Sequence, residues 1–120
     1  MTIGAELLTV LKTIGALSNR VYAIYAPQGS AFPYVSFTQI SGTRGYTHDG
    51  ADGLKTARYQ INVVGVSMLS VKGIRDSVVS TLEGWAITKL SSAYFESEVE
   101  FYEDDTNLFR IALDFIIRYY

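Results

Sequence analysis

A chain of 120 residues is the length of one domain, and its 48% apolar content is enough to close a single core. Ten Lys and Arg against 12 Asp and Glu give a net charge of −2, which excludes a broadly basic surface for nucleic acid. The absence of cysteine excludes disulfides, a thiolate nucleophile and a Cys-ligated metal. Charged residues make up 18% of the chain, below the roughly 25% of an average domain. That thin charge favours surface buried against partners, although a compact monomer fits it too.

The first predicted element is a helix. Ile3, Leu7, Val10, Leu11, Ile14 and Leu17 recur at spacings of three and four and form one apolar stripe. Thr2 is a candidate N-cap, and Ser18 and Asn19 close the segment. No basic, continuously apolar leader opens the sequence and no run approaches a membrane span, so the chain reads as a soluble cytoplasmic product.

Residues 21–30 read as a short extended piece followed by a turn at Pro27 and Gly29. Strands are expected at 34–40, with Val35 and Phe37 on one face, and at 56–64, with Tyr59, Ile61 and Val63 on one face. Between them, residues 41–55 hold four glycines and read as a long loop. Loops of that length are uncommon in compact domains, which leaves an assembly role or plain surface mobility. The loop supplies the candidate contact residues Arg44, Tyr46, His48, Asp49 and Leu54.

A second helix is expected over 67–83, with Val71, Ile74, Val78 and Leu82 as its stripe and Gly84 at its end. Two strands follow, at 92–102 and 108–120, joined by the polar turn 103–107. Strict alternation in the first of them places Glu96, Glu98 and Glu100 on one face. That row is either solvated and paired with Arg110 and Arg118 of the next strand, or an acidic surface turned to a pore or a basic neighbour. On the last strand, Leu108, Ala112 and Ile116 form an outer apolar set, which packs on another subunit or lies beneath a helix or added strand of its own chain.

The pattern predicts one α+β domain spanning residues 1–120 in the order α-β-β-α-β-β, with a possible extra strand near 21–26. An antiparallel or mixed sheet of four to five strands, with two helices packed on one face, buries every stripe at once.

Little in the sequence points to catalysis. The single histidine, His48, sits in the glycine-rich stretch with no motif around it, so a nucleophile–base pair lacks its usual base. Asp49-Gly50-Ala51-Asp52-Gly53 lacks the further acidic ligands of a calcium loop and reads as turn chemistry. No phosphate-binding glycine motif is present. No catalytic residue, metal or cofactor is therefore expected.

Four stretches carry a resemblance. They are Phe32-Pro33-Tyr34-Val35-Ser36-Phe37, then Ser41-Gly42-Thr43-Arg44-Gly45-Tyr46-Thr47-His48-Asp49-Gly50, then Leu54 with Ala57-Arg58-Tyr59-Gln60-Ile61, and then Tyr102-Glu103-Asp104-Asp105-Thr106-Asn107-Leu108-Phe109-Arg110-Ile111-Ala112-Leu113-Asp114-Phe115. In order and spacing, over nearly the whole chain, the sequence resembles the tail-completion (tail-terminator) family of long-tailed siphophages. The resemblance implies a non-enzymatic virion protein at the tail–head junction, assembled in the host bacterial cytoplasm. It implies a homo-hexamer ring that caps the head-proximal end of the tail tube. The implied partners are the tail tube protein and the head connector or head-completion protein, with no membrane and no sequence-specific nucleic-acid binding. The alternatives are another phage neck or head-completion component, or a small ligand-binding or hydrolase domain.

Overall fold

The computed structural model describes residues 3–15, 20–24, 29, 31–47, 50–86, 90–104 and 107–120, with the backbone alone at 44–47, 50–54 and 91. Helix α1 is Ile3–Leu11 and α2 is Met68–Glu83. The strands are β1 (Val21–Ala23), β2 (Tyr34–Thr47), β3 (Gly50–Gly65), β4 (Leu90–Glu103) and β5 (Leu108–Tyr119). They form one mixed sheet in the order β1-β2-β3-β5-β4, parallel at β1–β2 and antiparallel elsewhere. The extra strand expected near 21–26 is thus β1, and it makes the fifth.

Both helices lie on one face of this sheet because their stripes have nowhere else to go. Ile3, Leu7 and Leu11 of α1 and Val71, Ile74, Val78 and Leu82 of α2 are all buried. They meet Val35 and Phe37 of β2, Tyr59, Ile61 and Val63 of β3, and Ile111, Leu113, Phe115 and Ile117 of β5 in one cluster. Each such side chain contributes about 1.5–3 kcal/mol on leaving water. The regular helix α1 stops at Leu11, short of the expected stripe, but the bond from Ile14 N–H to Leu11 C=O tightens the chain and keeps Ile14 buried. Leu17, the Thr2 cap and the closing Ser18 and Asn19 lie outside the described residues. Ser67 is the N-cap of α2 through backbone geometry, without a side-chain bond, and Gly84 follows the last turn.

The expected loop at 41–55 is not a loop. Both flanking strands run on through it, pairing Ser41↔Arg58, Gly42↔Ala57, Thr43↔Thr56 and Arg44↔Lys55, then Tyr46↔Ala51 and Thr47↔Gly50. Glycine weakens a strand but leaves its N–H and C=O free to pair, and here the pairing partner is the chain itself. Register shifts after Gln39 and after Arg44 absorb the irregular spacing. Lys55↔Tyr119 is the last pair between β3 and β5, so beyond it β2 and β3 project as a two-stranded ribbon. The molecule measures 53 × 25 × 23 Å.

Gly65 ends β3 close against Val71 of α2. A Cβ there would stand 2.9 Å from Val71 Cγ2 and 3.6 Å from Pro33 Cβ, and Val71 is fully buried. Gly65→Ala is expected to cost about 1–3 kcal/mol through overpacking, read as a lower urea midpoint with an unchanged slope.

Candidate assembly surfaces

The three glutamates of β4 do not share a face. The register shifts between Phe95 and Ser97, so two residues of β4 oppose one step of β5. Before the shift Tyr94 pairs with Ile116 and Phe95 with Phe115; after it Ser97 pairs with Asp114, Glu98 with Leu113 and Glu100 with Ile111. Leu113 and Ile111 are core residues, so Glu98 and Glu100 stand at the rim of the helix-bearing face. There Arg75 of α2 donates from Nη1 to both Glu98 oxygens, at 3.0 and 3.1 Å, and Lys72 Nζ lies 3.7 Å from Glu100. Hydrogen bonding to Glu98 is the main cause raising the Arg75 pKa above its ordinary value. Glu96 turns to the other face, where it pairs with Arg58 of β3.

Arg110 and Arg118 are not the partners of that row. The Arg110 guanidinium lies 4.5 Å over the Phe101 ring, with Nε 4.0 Å from Glu103, and Arg118 lies 5.8 Å over Tyr94. These cations stack on aromatic faces of β4, an arrangement Arg favours.

Among the described residues no helix covers the opposite face of the sheet. Rows across it read Tyr34–Val64–Arg110–Phe101, Ser36–Asn62–Ala112–Val99 and Thr38–Gln60–Asp114–Ser97. Of the outer set on β5, Ala112 and Ile116 are nonetheless buried and Leu108 is half-buried. Their cover is lateral: Arg58 and Tyr94 flank Ile116. Burial beneath a helix of the same chain is therefore not the explanation. Asn62 Oδ1, Asp114 Oδ1 and Arg110 Nε, all in these rows, are closed off from solvent without a hydrogen-bond partner, an uncommon condition for buried polar atoms. Val99, Phe101 and Tyr94 of β4 are exposed on the same face.

Of the ribbon candidates, Arg44 and Tyr46 fall in β2 and Leu54 in β3, while His48 and Asp49 lie outside the described residues. Sequence reasoning missed Arg58, Lys72 and Arg75 as the glutamates' partners. Lys72 and Arg75 are three apart, hence neighbours on one side of α2, and that spacing was the available signal.

Two shallow depressions flank α2. One is lined by Ile14, Gly15, Asp76, Ser77, Ser80 and Thr81, and the other includes Arg75, Val79, Glu83, Phe95 and Glu98. In neither does a hydroxyl meet a histidine, and Asp76 is engaged by Arg75 Nε at 2.9 Å. Among the described residues no three His, Asp or Glu side chains gather as a metal site. No described helix is long and apolar enough to cross a membrane.

What the molecule offers is edges, a ribbon and an open sheet face. The family model described as Tail completion protein gp17 matches residues 5–120. The chain belongs to that family. Among solved structures it is similar to a chain of the "Virion of native gene transfer agent (GTA) particle", with a TM-score of 0.67 and 20% identity. That likeness covers 96% of this chain and 84% of the other, and at this identity it speaks for the fold. No curated protein matches the chain. As a tail completion protein it is a structural component of a phage virion and resides in the tail.

Proposed function

We propose that this tail completion protein forms a homo-hexameric ring that caps the head-proximal end of the tail tube, stops its growth and joins it to the head connector. The reading rests on the family match over residues 5–120. It assigns the protein no catalysis and no cofactor. Its contacts are the tail tube protein on one side and the head connector or head-completion protein on the other.

The geometry supports a division of labour. A ring needs heterologous contacts that close, and the two lateral edges of the sheet are the surfaces available for them. The ribbon projects past the sheet, and isolated two-stranded ribbons are marginal in water, so it gains from a surface to lie on. We assign it, with Arg44, Tyr46, His48, Asp49 and Leu54, to contact with the next protein along the tail axis.

Native mass spectrometry of the purified protein is expected to show a six-chain species. Electron microscopy with purified tails should place rings at one end of each tube. A chain that stays monomeric at high concentration, with tubes present, overturns the reading.

A further inference from the structure

The two ends of this molecule differ. The ribbon projects from one. At the other, β2 begins at Tyr34, β3 ends at Gly65, β4 ends at Glu103 and β5 begins at Leu108, and α2 starts there at Met68. Of the ten exposed large apolar side chains among the described residues, five lie at this second end: Phe32, Val66, Leu69, Phe101 and Tyr102. Single exposed apolar residues are ordinary, but a gathering of them marks a contact surface.

Local structure does not account for the gathering. Val66 precedes the N-cap Ser67, a position whose apolar side chain commonly packs on the fourth helical residue, here Val71. Val71 is fully buried, yet Val66 remains 66% exposed. Leu69 sits in the first turn of α2, off its buried stripe, and is 85% exposed. Helical side chains lean toward the N-terminus, so Leu69 leans toward this end. The aromatic part is already held in place. The Phe32 ring lies 5.4 Å from that of Tyr34 and the Tyr102 ring 4.8 Å from that of Phe109, so docking there costs little further ordering.

The margin is acidic. Glu103 and the exposed Asp104 open the turn between β4 and β5, and Asp105 follows them in the sequence. The neighbouring cations are engaged: Arg20 Nε donates to Pro33 C=O at 2.7 Å, Arg110 lies over Phe101, and Lys72 Nζ is 3.7 Å from Glu100.

We propose that this end is a second docking surface, which seats the protein on the side of the ring away from the ribbon, and that this partner presents an apolar patch margined by Lys or Arg. The proposal rests on the reading of a ring set between two partners. Such a ring needs two separate contacts, and the ribbon and this patch lie at opposite ends of a molecule 53 Å long. A second copy docking end to end would bring the same acidic turn with it, and like charges across a contact disfavour it.

Leu69→Glu tests the patch. A carboxylate in the first turn suits the helix N-terminus, so this variant is expected to melt within a few degrees of the parent and to form the same ring by native mass spectrometry. Co-sedimentation with purified tails, and separately with filled heads, then reads each attachment. The variant should bind one of them as the parent does and the other about tenfold or more weakly. A chain whose ribbon residues 44–55 are replaced by Asn-Gly should show the opposite pattern. Asp104→Lys should weaken the same attachment as Leu69→Glu. Val66→Thr, which keeps the branched side chain and removes part of the apolar surface, takes the place of Leu69→Glu should that variant fail to fold.

Parental binding of both tails and heads by Leu69→Glu and Val66→Thr overturns the proposal while leaving the ring reading intact. A well-folded Leu69→Glu that no longer forms the ring assigns the patch to a second copy and overturns it too. Loss of the same attachment by Leu69→Glu and by the trimmed ribbon puts both surfaces on one partner, with the same consequence. Attachment unchanged or strengthened by Asp104→Lys overturns the basic margin of the partner. A parent chain that stays monomeric and binds neither tails nor heads overturns the ring reading and the proposal together.

Discussion

Phe115→Ala is expected to remove about 3–5 kcal/mol of folding stability, a large share of the roughly 5–15 kcal/mol that holds a domain of this size together. Phe115 heads the fully buried side chains by volume and lies on β5, between Tyr59 of β3 and Phe95 of β4. Its ring meets that of Phe95 edge-to-face, with centroids 5.8 Å apart and planes at 69°. Truncation loses the transfer energy of the ring, this aromatic contact, and the packing of whatever fails to close over the cavity. Phe95 is only half-buried, so Phe95→Ala should cost distinctly less. Urea unfolding of the two variants measures both. Equal losses would mean that the sheet beneath α2 is not packed around Phe115.

The features that could be read from the sequence are those in which one residue spacing has one structural meaning. The stripes of α1 and α2 recur at three and four, and only a helix buries such a set on one side. On β5 the inward residues Phe109, Ile111, Leu113, Phe115 and Ile117 alternate without interruption, and the observed register preserves that alternation. The fold class, with both helices on one face of a mixed sheet, follows from those elements.

β4 shows where such reading fails. Its glutamates obey period two in the sequence, but the chain does not obey period two in space. A single inserted residue between Phe95 and Ser97 reverses the face of everything after it. Glu98 and Glu100 thereby reach the cations of α2 and Glu96 reaches Arg58, three pairings across separate elements that local pattern does not reveal. The ribbon failed for a different reason. Its glycines and aspartates carry turn propensity, whereas β structure depends on what the partner strand supplies, and at 41–47 the partner is 50–58.

The ribbon also permits folding to be separated from function. Replacing residues 44–55 by Asn-Gly, a two-residue hairpin turn, joins Thr43 directly to its existing partner Thr56. Among the described residues no core side chain lies between Phe37 and Ala57, so the trimmed protein is expected to melt within a few degrees of the parent. Both helices and the five-stranded body of the sheet remain, so the protein should still assemble with itself. What it should lose is attachment: mixed with tails and filled heads, it should yield few joined particles by electron microscopy, where the parent joins most. Joining at the parental level would remove the ribbon from the contact and turn attention to the helix-free face, with its exposed Val99 and Phe101. A collapse in melting temperature would instead make the ribbon part of the fold. Because Phe115→Ala weakens folding at its centre and the trimmed ribbon leaves that centre intact, a joining defect with normal melting is one that loss of stability cannot produce.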